Sequence, residues 1–203
     1  MTLERQVCLY VLISFLGGCT LPTVEEPEPV ANQNSIVEIK FVESAPKDRF
    51  IITNIGSCVL EEITLDLDLS QSAGRLIFDT SATGAGVEVF QPFEVESGNI
   101  TQLAADGVND GDTDLSLRIT TLNPGNAASF TIDVDDTLPA GELGQIRVAD
   151  SEISGATVSL TIGDSDVIST TFDNGSMARA NLPTCSLGTN SVVYLWPRIA
   201  ISN

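Results

Sequence analysis

Apolar and polar residues alternate along most of the chain from Ile36 onward. Val37, Ile39 and Phe41 alternate with Glu38 and Lys40. A repeat of two is the period of a half-buried strand, whose successive side chains point to opposite faces of a sheet. Further runs of this kind lie at 49–54, 63–70, 75–79, 87–90, 115–120, 129–134, 145–148, 157–162, 167–172 and 192–195.

Clusters of turn-forming residues separate these runs, and no long amphipathic pattern of helical period interrupts them. Many short strands at this spacing predict an all-β fold. We expect an antiparallel β-sandwich with Greek-key, immunoglobulin-like connections. The order of the strands within the two sheets does not follow from the pattern.

The first 18 residues have the pattern of a cleaved signal peptide. Arg5 precedes an apolar run from Val7 to Leu16, which is too short to span a membrane and has the length of a signal-peptide core. The run leads into Leu16-Gly17-Gly18-Cys19, which resembles the lipobox of bacterial lipoproteins. This resemblance implies cleavage before Cys19 and a lipid on its thiol. The alternative is an ordinary secretory signal that is cut near Gly18.

Residues 19–34 continue as a segment rich in Pro and Glu without apolar periodicity, which predicts an extended tether. Inner-membrane lipoproteins of Gram-negative cells usually carry Asp after the lipidated cysteine, so Thr20 favours the outer membrane. The predicted organisation is therefore a signal peptide at 1–18, a lipidated tether at 19–34 and a β-domain at 35–203. We expect the protein in the cell envelope, held to a membrane by its N-terminal lipid.

The charge balance limits the partners of the chain. It carries 9 Lys and Arg against 28 Asp and Glu, for a net charge of -19. Nucleic acids are not expected to bind, because their recognition rests on basic residues that neutralise phosphates. Anionic lipid headgroups are repelled for the same reason. Cations, cationic surfaces or simple solubility remain as explanations of the charge.

The absence of histidine limits the chemistry that the chain can perform. Its 203 residues contain no His, which removes the commonest general base and the most frequent ligand of catalytic zinc. An enzyme would have to use carboxylates, as glycosidases do with a pair set about 5 to 9.5 Å apart. No spacing in the sequence selects such a pair, and we therefore predict a non-enzymatic protein.

Four cysteines are encoded. Cys8 lies in the signal peptide and Cys19 is the expected lipid site, which leaves Cys58 and Cys185. A remaining pair in an oxidising compartment predicts a disulfide between them. In the loop-entropy model a bridge of this span stabilises the fold by about 4–5 kcal/mol. Two buried thiols are the alternative.

A first acidic cluster is a candidate cation site. Two glycines and Asn109 accompany four aspartates there, namely Asp106, Asp110, Asp112 and Asp114. Oxygen ligands on a flexible loop suit Ca²⁺, although the EF-hand order of ligands is missing. Aspartate beside glycine is also ordinary turn chemistry, and an exposed acidic loop needs no metal.

A second acidic cluster comprises Asp133, Asp135 and Asp136 at the end of a predicted strand. The period of two places Asp133 and Asp135 on one face. Carboxylates this close repel one another unless water, salt or a cation screens them. Ca²⁺ is therefore a candidate cofactor at this cluster as well.

Several segments together resemble bacterial secreted proteins that are similar to the core protein of the sponge aggregation factor. The segments are 37–50, 76–80, 84–93, 110–112, 130–136 and 152–156. The resemblance implies a secreted surface protein of a calcium-dependent cell-aggregation system, with a glycan or protein partner. It carries no catalytic motif.

The leading hypothesis is a non-enzymatic surface lipoprotein that acts in cell adhesion or surface interaction. A structural accessory subunit of the envelope, which docks to another membrane complex, is the alternative. A carboxylate-based hydrolase is the third and least supported hypothesis, since no spacing in the sequence selects a catalytic pair of acids.

Overall fold

The computed structural model describes residues 35–44, 47–87, 89–138 and 147–182, all within one compact unit of the chain. These residues form β-strands and no helix. No helix in these ranges has the length and apolar character needed to cross a membrane. In chain order the strands are β1 (Ser35–Val42), β2 (Arg49–Asn54), β3 (Leu60–Asp68), β4 (Ile77–Asp79), β5 (Glu94–Ser97), β6 (Ile100–Gln102), β7 (Asp114–Leu122), β8 (Ala127–Thr131), β9 (Asp133–Asp135), β10 (Thr157–Ile162), β11 (Ile168–Thr171) and β12 (Met177–Leu182).

Two five-stranded antiparallel sheets pack against each other. The first sheet has the order β12-β1-β2-β8-β5 and the second has the order β11-β10-β3-β7-β6. Strands β4 and β9 form a separate two-stranded antiparallel ribbon. The predicted antiparallel β-sandwich is confirmed, and the structure adds the order of its strands.

The core is built from the apolar positions of the alternating runs. Phe41, Phe50 and Phe130 of the first sheet are each about 1% exposed. The rings of Phe50 and Phe130 stack with their centroids 5.0 Å apart, on neighbouring strands β2 and β8. Strand β3 contributes Ile63 and Leu65 from the facing sheet. Because the period of two selects these side chains, the alternation directly determines which face of each strand is buried.

Two predicted strands differ from the structure. Val87, Val89 and Phe90 lie outside any strand, although the sequence predicts one at 87–90. The backbone N–H of Val87 donates to the carboxylate of Asp135, at 2.8 Å, and so does not pair with a neighbouring strand. Arg147 and Val148, in the predicted run 145–148, also lie outside the strands. The run 192–195 falls outside the described residues.

Strand β5 was not predicted from the alternation of apolar and polar residues. It is an edge strand, and all four of its residues are exposed. An edge strand with neither face buried needs no apolar repeat. The register of β5 against β8 also shifts between Val95 and Ser97.

A buried asparagine joins the two sheets at one end of the sandwich. Asn54, at 0% exposure, ends β2. Its Nδ2 donates to the carbonyl oxygens of Cys58 at 2.7 Å and of Leu122 at 2.9 Å, and its Oδ1 accepts from the N–H of Gly56 at 3.0 Å. From the first sheet, the side chain therefore satisfies backbone groups of the β2–β3 connection and of β7 in the second sheet.

Replacing Asn54 by Ala is expected to destabilise the fold by about 3 kcal/mol, since each buried carbonyl left without a donor costs about 1–3 kcal/mol. Urea unfolding followed by circular dichroism measures the loss. Asn126→Ala, an exposed asparagine, is the matched control and should change stability by less than about 0.5 kcal/mol. Equal losses in the two variants would contradict the proposed tie between the sheets.

The structure describes only one of the predicted cysteine sites. Cys58 is disulfide-bonded and 7% exposed. Cys185, its predicted partner, lies outside the described residues, so the pairing stays a prediction. The same holds for Cys19, the signal peptide and the tether.

Candidate metal centre

Three aspartates meet where the ribbon of β4 and β9 joins the first sheet. Asp133 and Asp135 occupy alternate positions of β9, which is separated from β8 by the single residue Ile132. Asp79 ends β4 and lies directly opposite Asp133 in the antiparallel register. Directly opposed residues share a face of a sheet. Each of the three offers a carboxylate oxygen, and these oxygens all lie within 4.8 Å of one another. We call Asp79, Asp133 and Asp135 the aspartate trio.

The trio is enclosed and its charges are uncompensated. Asp79 is 0% exposed, and Asp133 and Asp135 are 1% exposed. One oxygen of each residue is buried and has no hydrogen-bond partner within the described part of the chain: Oδ2 of Asp79, Oδ2 of Asp133 and Oδ1 of Asp135. The salt bridges among the described residues all use glutamates, so none of them neutralises the trio. A buried carboxylate in this position requires either a proton or a bound cation.

The pKa values of these groups reflect the same crowding. Burial and, to a smaller extent, the nearby charges of Asp135, Asp48 and Asp79 together raise the pKa of Asp133 to about 8. Burial and the contact with Asp110 raise the pKa of Asp79 to about 7. Burial also raises the pKa of Asp135. Without a cation, part of the cluster therefore holds protons at neutral pH.

Asp48 lies beside the trio without being part of it. Its carboxylate accepts from the N–H of Ser44 at 2.9 Å and of Val134 at 3.0 Å, so both oxygens are engaged. Burial nevertheless raises the pKa of Asp48 to about 7, against the effect of these two bonds. Asp48 thus adds a further buried charge next to Asp133 and Asp135.

A glycine of the segment after β4 covers the trio. A Cβ atom built on Gly86 would overlap the carboxylate oxygens of Asp79 and Asp135. The next residue, Val87, donates its N–H to Oδ2 of Asp135 at 2.8 Å. The backbone therefore lies directly on the carboxylates, and only glycine leaves room for this approach.

Replacing Gly86 by Ala is expected to weaken cation binding by about tenfold or more, because the added methyl group displaces carboxylates that must hold a fixed geometry around the ion. Calorimetric titration with Ca²⁺ measures the change. Gly175→Ala, in the turn between β11 and β12, is the control, since its nearest contact would be Oδ1 of Asp173 at 3.3 Å. Unchanged affinity in the Gly86 variant would show that this backbone does not shape the site.

The structure separates the members of the first predicted cluster. Asp110 contacts the segment after β4: Oδ1 accepts from Thr80 N–H at 2.9 Å and Ser81 N–H at 3.1 Å, and Oδ2 accepts from Ala85 N–H at 2.6 Å. Burial acts to raise the pKa of Asp110, but the bonds from Ala85, Thr80 and Ser81 outweigh it and leave the pKa below its usual value. Asp110 is thus a neighbour of the trio that is saturated with backbone donors.

The other three members of that cluster are not brought into the trio. Asp112 accepts from the N–H of Asn109 at 2.8 Å and from its Nδ2 at 3.1 Å, which closes a local turn. Asp114 is exposed and accepts from the Thr113 hydroxyl at 3.2 Å. Asp106 is exposed on the loop surface.

The second predicted cluster is partly assembled. Asp133 and Asp135 belong to the trio, whereas Asp136, which follows the last residue of β9, does not. Oδ1 of Asp136 accepts from Leu138 N–H at 2.9 Å. Burial raises the pKa of Asp136, and the charge of Glu152 adds to the effect.

Asp79 is the residue that sequence reasoning did not find. It ends a predicted strand, but it stands 54 positions before Asp133, and no periodic pattern connects the two. Only the pairing of β4 with β9 brings them together. A weak signal exists in Gly84-Ala85-Gly86, since small residues permit close approach of backbone to a site.

The fold and the trio define an all-β sandwich with an enclosed cluster of aspartates that could hold a metal ion. No protein-family model matches the sequence, and no curated protein matches it either. Among solved structures the chain is similar to a biomass-sensing module of the Rsgi2 protein from Clostridium thermocellum, described as resembling the family 3 carbohydrate-binding module of the cellulosome. The two are 13% identical, with 71% of this chain and 93% of that chain covered and a TM-score of 0.28. Nothing about a ligand of this chain follows from a similarity at that level.

Proposed function

We propose that the chain is a non-enzymatic lipoprotein of the cell envelope whose β-sandwich binds Ca²⁺ and serves adhesion or interaction at the cell surface. The observation that carries the proposal is the aspartate trio, which encloses three carboxylate oxygens without hydrogen-bond partners. Such groups are costly to bury unless an ion or a proton compensates them.

The donor set favours Ca²⁺ over other metals. The trio offers only oxygen ligands, which suit hard cations, and contains neither the thiolates nor the imidazoles that select zinc or copper. Ligands of one Ca²⁺ lie at most about 5 Å apart, twice the usual Ca–O distance. The ligand oxygens of the trio all lie within 4.8 Å of one another, so one such ion could contact all three residues. Mg²⁺ requires a shorter and stricter geometry.

Enclosure of the trio supports a binding or structural role over hydrolysis. Two carboxylates that attack a substrate must be reached by it. Asp79 and Asp135 are at most 1% exposed beneath Gly86, so a substrate cannot touch them in this conformation. The carboxylate-based hydrolase therefore receives less support than a cation-stabilised surface domain.

Two features support a place in the envelope. The sequence Leu16-Gly17-Gly18-Cys19 is the basis for a lipid anchor, and Thr20 is the basis for the outer membrane. The disulfide-bonded state of Cys58 agrees with an oxidising compartment, because disulfides persist outside the reducing cytosol. Resemblance to the core protein of the sponge aggregation factor supports calcium-dependent adhesion, with a glycan or protein as the partner.

Calorimetric titration of Ca²⁺ into the purified chain tests the cation site. We expect saturable binding in the wild-type protein and its loss when Asp133 and Asp135 are both replaced by Asn. Asp112→Asn removes an acid that closes a local turn instead, and should leave binding intact. A wild-type protein that shows neither heat of binding nor a change in melting temperature would refute the Ca²⁺ site.

Cell aggregation assays test the role at the surface. Cells that carry the wild-type protein should aggregate more with Ca²⁺ than with a chelator, and cells that carry Cys19→Ala should lose the difference. A stoichiometric envelope partner in a pull-down, together with unchanged aggregation, would instead favour the accessory subunit.

A further inference from the structure

The segment that covers the trio is held almost entirely by carboxylates. We call residues Ser81–Val87 the strap. No backbone-to-backbone hydrogen bond among the described residues involves it. Instead Asp110 accepts the N–H groups of Ser81 and Ala85, and Asp135 accepts that of Val87. Ser81 N–H also donates to Oδ1 of Asp79 at 3.3 Å. The strap is thus attached at its start by Asp110 and Asp79, at its middle by Asp110, and at its end by Asp135.

The strap also separates the trio from solvent. Its middle residues, Thr83 to Ala85, are exposed, whereas Asp79 and Asp135 directly beneath Gly86 are not. A cation can therefore enter or leave past Gly86 only after the strap has moved away from the trio. Lifting the middle of the strap requires the bond from Ala85 N–H to Oδ2 of Asp110 to break, because the bonds at its start and end also involve the cation ligands Asp79 and Asp135.

We infer that the strap is a gate over the cation and that Asp110 is its latch, a positioning residue that sets how fast the ion exchanges. The inference rests on the proposed Ca²⁺ site. Asp110 accepts three backbone N–H groups and also contacts Asp79, so it holds the strap from the edge of the trio without being one of the three ligands.

Asp110→Asn isolates the latch. The amide keeps one oxygen, which still accepts from the N–H groups of Thr80 and Ser81. Its NH₂ group takes the place of the wild-type Oδ2, which accepts from the N–H of Ala85. Two donors in contact cannot bond, so the middle of the strap is released while its start stays attached. Asp112→Asn removes the same charge two residues away and leaves the strap bonds untouched, which makes it the matched control.

The experiment measures ion release from the Ca²⁺-loaded full-length chain by stopped-flow mixing with a fluorescent chelator, alongside the Kd from calorimetry. Loss of one charge-assisted hydrogen bond corresponds to about a tenfold change in rate. We therefore expect Asp110→Asn to release Ca²⁺ about tenfold faster, with a Kd within about threefold of wild type. The association rate constant, which is the release rate constant divided by the Kd, should then rise as well. Asp112→Asn should stay within about twofold in every quantity.

The alternatives leave different signatures. An increase in release matched by an equal increase in Kd would make Asp110 a contributor to affinity and overturn the latch. Unchanged release would overturn the gate itself. A wild-type chain that binds no Ca²⁺ refutes the cation site and the gate together, whereas binding with unaltered rates refutes the gate alone. If Asp110→Asn does not fold, Asp110→Ser, which removes the charge and shortens the side chain, provides the same comparison.

Discussion

Saturating Ca²⁺ is expected to raise the melting temperature of the metal-free chain by about 5–10 °C at pH 8. Ligand at 100 times its Kd stabilises a folded protein by about 2.7 kcal/mol, and a chain of this size gains about 2–4 °C for each kcal/mol. The effect is large because Ca²⁺ supplies the counter-charge that the enclosed trio lacks. Differential scanning calorimetry with and without a chelator measures it.

Asp135→Asn should have opposite effects on the Ca²⁺ response and on the stability of the metal-free protein. The variant should abolish the effect of Ca²⁺, because one of the three carboxylates is gone. It should also stabilise the metal-free protein, since it removes a buried charge that raises the free energy of Asp133 and Asp79 beside it. The amide oxygen still accepts the N–H of Val87. A variant that melts lower than wild type without metal, or that keeps the Ca²⁺ response, would contradict the assignment.

The stability of the metal-free protein is expected to fall as the pH rises from 5 to 8. The pKa of Asp48 is about 7 and that of Asp133 about 8 in the folded chain, against 3.8 for an aspartate in water. Between these values the folded state binds more protons than the unfolded state, so the free energy of unfolding decreases with increasing pH. Stability is fully present below the unfolded pKa and is lost as the pH passes through the folded pKa values.

Asp48 alone would account for about 3 kcal/mol of this loss, since about two pH units lie between pH 5 and its folded pKa, at 1.36 kcal/mol for each unit. Urea unfolding in metal-free buffer at pH 5, 6, 7 and 8 measures the slope. Asp48→Asn should flatten it. Carboxyls with lowered pKa, such as Glu96 beside Arg49, act below this window and do not mask it. Stability that rises from pH 5 to 8 would show that the cluster is not charged within the fold as argued.

Protons and Ca²⁺ compete for the same oxygens in this arrangement. Metal ligands must be deprotonated, so affinity for Ca²⁺ should weaken as the pH falls through the raised pKa values of Asp79 and Asp133. The cation should accordingly restore at pH 8 the stability that the metal-free protein loses there, and should have little effect at pH 5.

The position of the trio indicates what a bound cation would stabilise. The connection from β4 to β5 is attached on both sides of the cluster: Val87 donates to Asp135, and the carbonyl of Gln91 accepts from Asp133 N–H at 2.9 Å. Between these points Val89 and Phe90 are exposed by 42% and 38%. Stiffening of this connection by Ca²⁺ is therefore the direct structural effect that the site can have.

The local alternation of apolar and polar residues was enough to predict the fold class. The alternation in 37–41 and 63–69 identified half-buried strands, and β2 and β10 have the bounds that the pattern predicts. It also placed Asp133 and Asp135 on one face, because successive side chains of a strand alternate whatever the partner strand. Strands without a buried face, such as β5, left no such pattern and were not predicted.

The site itself required the tertiary structure. Asp79 reaches Asp133 only because β4 pairs with β9, and Asp110 reaches the strap only because the loop before β7 lies beside β4. Charge density along the sequence favoured the loop of Asp106 to Asp114, but three of its acids end in solvent or in a local turn. A period of two is a property of a single strand, so the sequence of that strand is enough to reveal it. Which strands pair depends on the packing of the whole sandwich, and that packing decided which aspartates are enclosed together.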